Sequence, residues 1–499
     1  MKPTGFPSGL SLAALALGLT GCAVGPNFHA PAAPAVPLTP APLPAATVAA
    51  AGQAQALTPG ADIPGDWWAL YHSPQLNALI TAALAHNPSL TVAQATLWQA
   101  EENTRAEEGA LLPSISGSFT AERNQTSGAG LAAFGAGGSS SAIPAYTLYN
   151  ASIPVSYTLD LFGGTRRQVE SLAAQAEYQR DELEATYLTL TANIVTAAVQ
   201  EASLTAQINA TNQVIASDQQ VLTILQAQVT LGGVAQAQVL QQLSVLAQAQ
   251  ATLPPLQSQL AQARNQLAAY AGTFPGEFHE ADFTLADLQL PQNIPVSLPS
   301  AIVAQRPDIR AVTAQLHEAT ANLGVADAAM LPQITLSASI GHEALDTATL
   351  FTPQTLMWDL AAGVVQPLFE GGTLSAKRKA AVAALQGAGA QYQSTVIAAF
   401  QNVADALVVL QYDATTLQAA DAARDAAAQS LAVTEAQYRL GGQPFTAVLT
   451  AETTYQNTML AQVKAQAARL ADSAALYQAL GGGWWHRQDV TVKCCGVIP

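Results

Sequence analysis

Side chains able to do covalent, acid–base or metal chemistry are few in this chain and thinly spread. Its 499 residues include three cysteines and seven histidines. The histidines are scattered, and the acidic pairs Glu101-Glu102 and Glu107-Glu108 read as solvated helix faces. No phosphate-cradling glycine loop, GxSxG elbow or HExxH pair occurs. The chain therefore supplies no chemistry of its own, and neither an enzyme nor a cofactor or metal is expected. Cys494 and Cys495 are adjacent; such neighbours bridge only with strain, and no CxxC or histidine partner suggests a metal, so they read as incidental. Cys22 is different. It closes Leu19-Thr20-Gly21-Cys22, after one lysine (Lys2) and an apolar run from Leu10 to Leu19.

That arrangement resembles a bacterial lipoprotein signal, in which the peptide is cut before the cysteine and the cysteine is diacylglyceryl-modified and N-acylated. Two or more acyl chains make a stable anchor. Residues 1–21 then form the signal and Cys22 is the lipidation site. From Ala23 to about Ala61 the chain is Pro- and Ala-rich without periodicity, which reads as a tether over 22–61. The whole chain is 50 % hydrophobic and only 10 % charged, well under the usual quarter or so. Its net charge of −16 speaks against a nucleic-acid partner. No apolar run past the N-terminus approaches the roughly 20 residues of a spanning helix, so a membrane-crossing form would have to use strands.

Two places show where such strands begin. At Leu112-Pro113 and again at Leu331-Pro332 a helical period gives way to alternation, and proline suits that boundary because it lacks the N–H a helix needs. After the first, Ile115, Gly117, Phe119 and Ala121 alternate with Ser114, Ser116, Ser118 and Thr120. After the second, Ile334, Leu336, Ala338 and Ile340 alternate with Gln333, Thr335, Ser337 and Ser339. Strands are expected at about 114–122, 149–161, 333–342 and 356–369, with a flexible Gly/Ser-rich loop over 124–141. Their length, roughly 9 to 13 residues, suits a tilted crossing of an outer membrane.

Very long helices flank them. One is expected from Thr165 to about Thr230, roughly 100 Å at 1.5 Å per residue. Its stripe keeps a 4-3 rhythm: Leu183, Tyr187, Leu190, Ile194, Ala197, Glu201, Leu204, Ile208, Thr211, Ile215, Asp218, Leu222, Leu225, Val229. A sustained seven-residue repeat means supercoiled packing. Val195, Val199, Ala202 and Ala206 make a second, shorter seam, as in a closed ring of helices, although periodicity alone also allows an antiparallel coiled coil. Leu231-Gly232-Gly233 turns the chain back into a helix ending near Tyr270, with a kink or break expected at Pro254-Pro255. After a connector the plan repeats: Pro88 and Pro307 are separated by the same interval as Pro113 and Pro332. A second long helix over Thr373–Arg439, a tip at Leu440-Gly441-Gly442 and a last helix to Leu480 follow. The divisions are 62–272 for the first repeat, 273–300 for the connector, 301–483 for the second repeat and 484–499 for the tail.

Several stretches in this order resemble the outer-membrane efflux protein family, in its lipoprotein branch. They are Cys22-Ala23-Val24-Gly25-Pro26-Asn27-Phe28, Asp66-Trp67-Trp68-Ala69-Leu70-Tyr71, Arg306-Pro307-Asp308-Ile309-Arg310, Gly324-Val325-Ala326, Leu331-Pro332-Gln333-Ile334, Pro367-Leu368-Phe369-Glu370-Gly371-Gly372, Tyr438-Arg439-Leu440-Gly441 and Ala479-Leu480-Gly481-Gly482-Gly483-Trp484. The resemblance implies an α+β membrane protein: a homotrimer whose 12-stranded barrel in the outer membrane, four strands per chain, continues as an α-helical barrel through the periplasm. It implies a passive exit duct partnered by a periplasmic adaptor and an inner-membrane pump. It places adaptor contact at the tips, Gly232-Gly233 and Gly441-Gly442. Family members carry aspartates near the last turn that form an acidic constriction; the matching positions here are Ala447 and Thr450. That ring is either missing or moved to Glu452, while Phe445, Leu449 and Tyr455 could narrow the entrance sterically or simply pack between helices. The physics of strands agrees on oligomerisation. Four strands cannot close a barrel, the smallest known barrels have about eight, and unpaired edges cannot face lipid. The alternative is a non-transporting coiled-coil lipoprotein of the envelope.

Overall fold

The computed structural model describes residues 23–39, 42–125, 145–279 and 282–487. Cys22, Cys494, Cys495 and most of the Gly/Ser-rich loop lie outside them. The chain falls into two compact units. One joins Met1–Ala30, Gln99–Glu177 and Ala314–Ala390; the other joins Pro31–Trp98, Tyr178–Thr313 and Gln391–Pro499.

Helix α1, Pro74–His86, starts where Ser73 accepts the Leu76 N–H at 3.3 Å and Pro74 fills the first turn. Helix α2 covers Pro88–Glu108. The long helix α3 spans Gly164–Thr230 and its return α4 spans Gln236–Tyr270. The second half reproduces this plan: α5 (Pro299–Gln305), α6 (Pro307–Ala328), α7 (Thr373–Arg439) and α8 (Phe445–Ala479). The two long helices have 67 residues each and the two return helices 35 each. Buried positions on α7 step Tyr392, Val396, Ala399, Val403, Leu407, Leu410, Ala414, Leu417, the 4-3 rhythm expected for α3 with one additional step of four from Val403 to Leu407. On α3 most of that rhythm is buried from Leu183 through Leu225, with Ile208, Ile215 and Leu222 half-buried, and Val195, Val199 and Ala202 of the second seam are buried too.

Helix α4 continues through Pro254-Pro255 as one helix, so of the expected kink or break the break does not occur. Both prolines and the carbonyl-bearing residues Gln250 and Ala251, whose helical donors they remove, are exposed, so water can satisfy what the missing N–H groups leave.

In the larger unit the core gathers Trp67, Tyr71, Leu76, Ile80, Ile194 and Tyr477. Trp67 stacks on Tyr477 with centroids 5.4 Å apart, and the Tyr71 hydroxyl donates to the Leu470 carbonyl at 2.8 Å. The aromatic opening segment is therefore core. The stretch expected as a tether is partly folded into this unit. Strand β1, Ala56–Pro59, pairs in parallel with β5, Asn293–Val296, of the connector. Gln55 is buried and donates to the Pro291 carbonyl and the Ser473 hydroxyl, both at 3.0 Å. The buried Arg469 donates to the Ala50 and Gln53 carbonyls at 3.2 and 3.0 Å. These contacts are single polar anchors without repeat, so no periodicity announces them.

Candidate functional site

The strands that could enclose a pore form one sheet in the smaller unit. Strands β2 (Ser114–Ile115), β3 (Ser118–Asn124), β4 (Tyr146–Leu159), β6 (Gln333–Ala344) and β7 (Leu356–Val365) are antiparallel neighbours, with β2 and β3 both on one side of β4 and β6, then β7, on the other. The first expected strand is thus split in two. The gap at Ser116-Gly117 faces Pro154: Ser116 donates to the Pro154 carbonyl at 3.2 Å, and Pro154 has no N–H to return. Strand β7 stops at Val365, short of the expected Phe369, because Pro367 removes the next donor.

Register sorts the two faces. Ile153, Val155, Tyr157 and Leu159 lie opposite Ile340, Ala338, Leu336 and Ile334, which lie opposite Trp358, Leu360, Ala362 and Val364. On the other face Ser152, Ser156 and Thr158 meet Gly341, Ser337 and Thr335. Polar cross-strand bonds stud that face: Ser118 to Ser152 at 2.9 Å, Asn150 to Glu343 at 3.3 Å and Ser339 to Asp359 at 2.5 Å. The apolar face is uncovered in the single chain, with Trp358 72 % and Leu360 76 % exposed. Among the described residues the outer edges of β7 and of β2/β3 find no strand. A sheet with a bare apolar face, a hydroxyl-rich face and two open edges is incomplete in water and in lipid alike.

The tips are built alike. The N–H of Gly232 reaches the Val229 carbonyl at 2.9 Å and that of Gly233 the Gln228 carbonyl at 2.8 Å; Gly441 and Gly442 repeat this on Tyr438 and Gln437 at 2.9 and 2.8 Å. Gly232 and Gly441 have φ of +74° and +76°, which a side chain would resist. Each presents a leucine, Leu231 at 85 % and Leu440 at 87 % exposure.

Next to the tips the expected gate residues separate. Phe445 and Val448 are buried with Leu225 and Val239, with Leu449 packed against them, and the Tyr438 and Phe445 rings are 5.5 Å apart. Phe445 is therefore taken up by helix packing and does not project into an opening. Tyr455 is half-buried, Ala447 likewise, and Thr450 is exposed. Glu452 is buried and turned toward Asp218 of α3. Gln242 of α4 donates to the Asp218 carboxylate at 2.9 Å and to its carbonyl at 3.2 Å. Asp218 and Gln242 were not among the expected site residues. Asp218 stood in the α3 stripe, where an acid at an apolar position is the signal, but its partners come from other helices and sequence does not show them. Burial, and then the Asp218 charge, push the Glu452 carboxyl up to about 8; burial raises Asp218 as well.

A further cluster ties the segment ends together. Arg306 forks onto Asp308 at 3.0 and 2.6 Å and donates to the Ala479 carbonyl at 2.7 Å, which gives Arg306-Pro307-Asp308 its physical sense: it fastens the start of α6 to the end of α8. In the smaller unit Arg167 donates to the Val24 carbonyl at 3.2 Å and to the Asn27 side chain at 2.7 Å, and Phe28 stacks on His317 at 4.4 Å. The segment after Cys22 is thereby clamped.

Comparison with known proteins agrees with this architecture. The profile described as "Outer membrane efflux protein" matches residues 79–273 and 298–482. The pyoverdine export outer membrane protein OpmQ of Pseudomonas putida is 30 % identical over 84 % of this chain and 88 % of its own length. The cation efflux system protein CusC of Escherichia coli is 26 % identical over 94 % of this chain and 98 % of its own. Among solved structures, the outer-membrane channel OprN superposes with a TM-score of 0.83 at 24 % identity, covering 93 % of this chain and all of that one (100 %). VceC of Vibrio cholerae superposes at 0.77 with 26 % identity, covering 85 % of this chain and 100 % of that one.

Proposed function

The chain belongs to the outer membrane efflux protein family, the outer-membrane channels of tripartite efflux systems in Gram-negative bacteria, and from that premise we propose how it is assembled and gated. Three copies pool their sheets into one 12-stranded barrel. The apolar face bearing Trp358 and Leu360 meets lipid, and the face bearing Ser337, Ser152 and Asn150 lines water. The observation that carries this is the incomplete sheet, whose open edges and bare face are satisfied when neighbouring chains supply β7 to β2/β3. Helix α7 favours the same assembly: it carries a window apolar enough to cross a membrane, with mean hydropathy 1.3, yet only 28 % of that window is buried within the chain. Neighbouring copies would cover it, and the helices of three chains would form the periplasmic duct. The equal lengths of the paired helices support an internal duplication.

The protein is a passive conduit in this reading. The tips at Gly232-Gly233 and Gly441-Gly442 receive the adaptor, and the inner-membrane pump supplies the energy and selects the cargo. Relatives named for pyoverdine and for cations resemble the chain to similar degrees, which supports a duct indifferent to cargo. Cys22 carries the acyl anchor, and the clamped residues 24–28 hold that anchor to the smaller unit. Two measurements test this. Cysteine pairs placed across the β7 and β2/β3 edges should crosslink between chains into a trimer, and the purified trimer should conduct in planar bilayers. A monomer that leaves bilayers unperturbed would mark a non-transporting spacer instead.

A further inference from the structure

The buried seam beside the tips holds polar groups whose hydrogen bonding does not close. Asp218 and Gln242 are 0 % exposed and Glu452 is 6 % exposed. Asp218 Oδ1 takes the Gln242 amide, but Asp218 Oδ2 and Gln242 Oε1 have no donor. Burying an acceptor without a donor costs on the order of a hydrogen bond, and two buried carboxylates in contact repel. One proton shared between the acids supplies the donor that Asp218 Oδ2 lacks and removes one charge. The groups facing this site are Asp218 from α3, the neutral Gln242 from α4, Glu435 from α7 and Glu452 itself from α8. Glu435 is held by Arg439 at 3.3 Å, and none of the charges acting on Glu452 is positive. On the same helices, toward the tips, Leu225, Val239, Phe445 and Val448 pack as an apolar cluster.

We infer that Asp218 and Glu452 form a one-proton site that latches the last helix, α8, to the α3/α4 hairpin near the tips. It rests on the channel reading and adds a regulator to it. Glu452 donates its carboxyl proton to Asp218 Oδ2 in the packed state. When that proton passes to solvent water, two carboxylates face each other at the seam and the helices part.

The sign follows from where the proton binds. The packed state holds it up to a pH of about 8, whereas a carboxyl freed into water releases it near its ordinary value of 4.5. The packed state is therefore fully favoured below about 4.5, loses ground as pH rises through the interval, and levels off above about 8. Within the interval the packed-to-parted ratio falls by up to about tenfold per pH unit.

The experiment is single-channel recording of the purified trimer at pH 5 to 9 in fixed salt. Wild type should show opening that increases over that interval and flattens near the top. Glu452→Gln, whose amide can still donate to Asp218, should stay closed with no pH step, and Asp218→Asn should also lose it. Infrared difference spectra at neutral pH give a second readout: wild type should carry a protonated-carboxyl band that Glu452→Gln diminishes. A pH step unchanged in Glu452→Gln, an unchanged infrared band, or a step that follows the identity of the salt cation and not pH would overturn the latch while leaving the channel intact. No conductance from wild type at any pH would overturn the channel reading, and the latch with it.

Discussion

Replacing Leu360 by arginine tests which face of the sheet meets lipid. Leu360 lies opposite Ala338 in the middle of β6/β7, in the row with Trp358, Ala362 and Val364, and is 76 % exposed in the single chain. If that row faces hydrocarbon, an arginine near mid-bilayer costs about 2–4 kcal/mol. At 1.4 kcal/mol per tenfold, the folded-to-unfolded ratio falls about 30- to 700-fold. Ser337 provides the internal comparison, because it neighbours Ala338 in the same strand but points to the opposite face, where it pairs with Ser156 and Ala361. Ser337→Arg should cost about 0–1 kcal/mol, since its guanidinium remains in water, and should alter single-channel conductance. The assay is the fraction of unheated, outer-membrane material that migrates as assembled trimer in mild detergent gels. Equal losses at both positions, or a greater loss for Ser337→Arg, would refute the assignment of faces and with it the barrel.

Arg306→Ala should lower the stability of the solubilised trimer by about 1–3 kcal/mol in urea unfolding, because Asp308 loses a forked partner and the Ala479 carbonyl a donor. Arg306→Lys should recover only part of it, since an ammonium cannot span both oxygens. Pro154→Val restores a donor opposite Ser116, so the new amide should be protected from hydrogen exchange and the sheet stabilised by about 0.5–1.5 kcal/mol; an unprotected amide there would contradict the reason given for the break. Gly324→Ala would put a Cβ 2.9 Å from Arg167 Cγ. It should loosen the grip of Arg167 on Val24 and Asn27, read as faster proteolysis just after Phe28.

Sequence carries the long helices almost to the residue because their evidence is repeated. Gly164–Thr230 follows from a long run of positions obeying one rhythm, the paired glycines mark the turns, Thr373–Arg439 follows as its repeat, and Ser73 with Pro74 marks the start of the short helix α1. Strand positions were legible for the same reason, through alternation. Their ends were not, because a strand stops where its neighbour fails it: β2 ends opposite Pro154, a residue far away in the chain. The docking of 42–59 depends on a few solitary partners, Gln55 to Ser473 and Arg469 to Ala50, which leave no pattern in either segment. The surroundings of the candidate gate residues were only partly legible. Glu452 drew attention as a displaced acid, yet its environment is set by Asp218 and Gln242 on two other helices, and Phe445, picked out for its bulk, turned out to be filling a seam.

The acids in the α3 stripe show why such seams are not simply filled with leucine. Glu201 accepts from Arg264 of α4 at 3.0 Å, and Asp218 accepts from Gln242 of the same helix at 2.9 Å. Both pairs join α3 to its own return, one toward the far end of α4 and one toward the turn. An apolar seam of small and branched residues tolerates a slip of one heptad with little loss, because one methyl group replaces another. A buried acid does not, because slipping leaves it without its donor and costs on the order of 1–3 kcal/mol at each site. Two such pins on a hairpin with helices of 67 and 35 residues therefore hold a register that periodicity alone leaves open. Asp218 is also the residue that faces Glu452, so the pin that sets the register of α3 against α4 is the same group that senses whether α8 is in place.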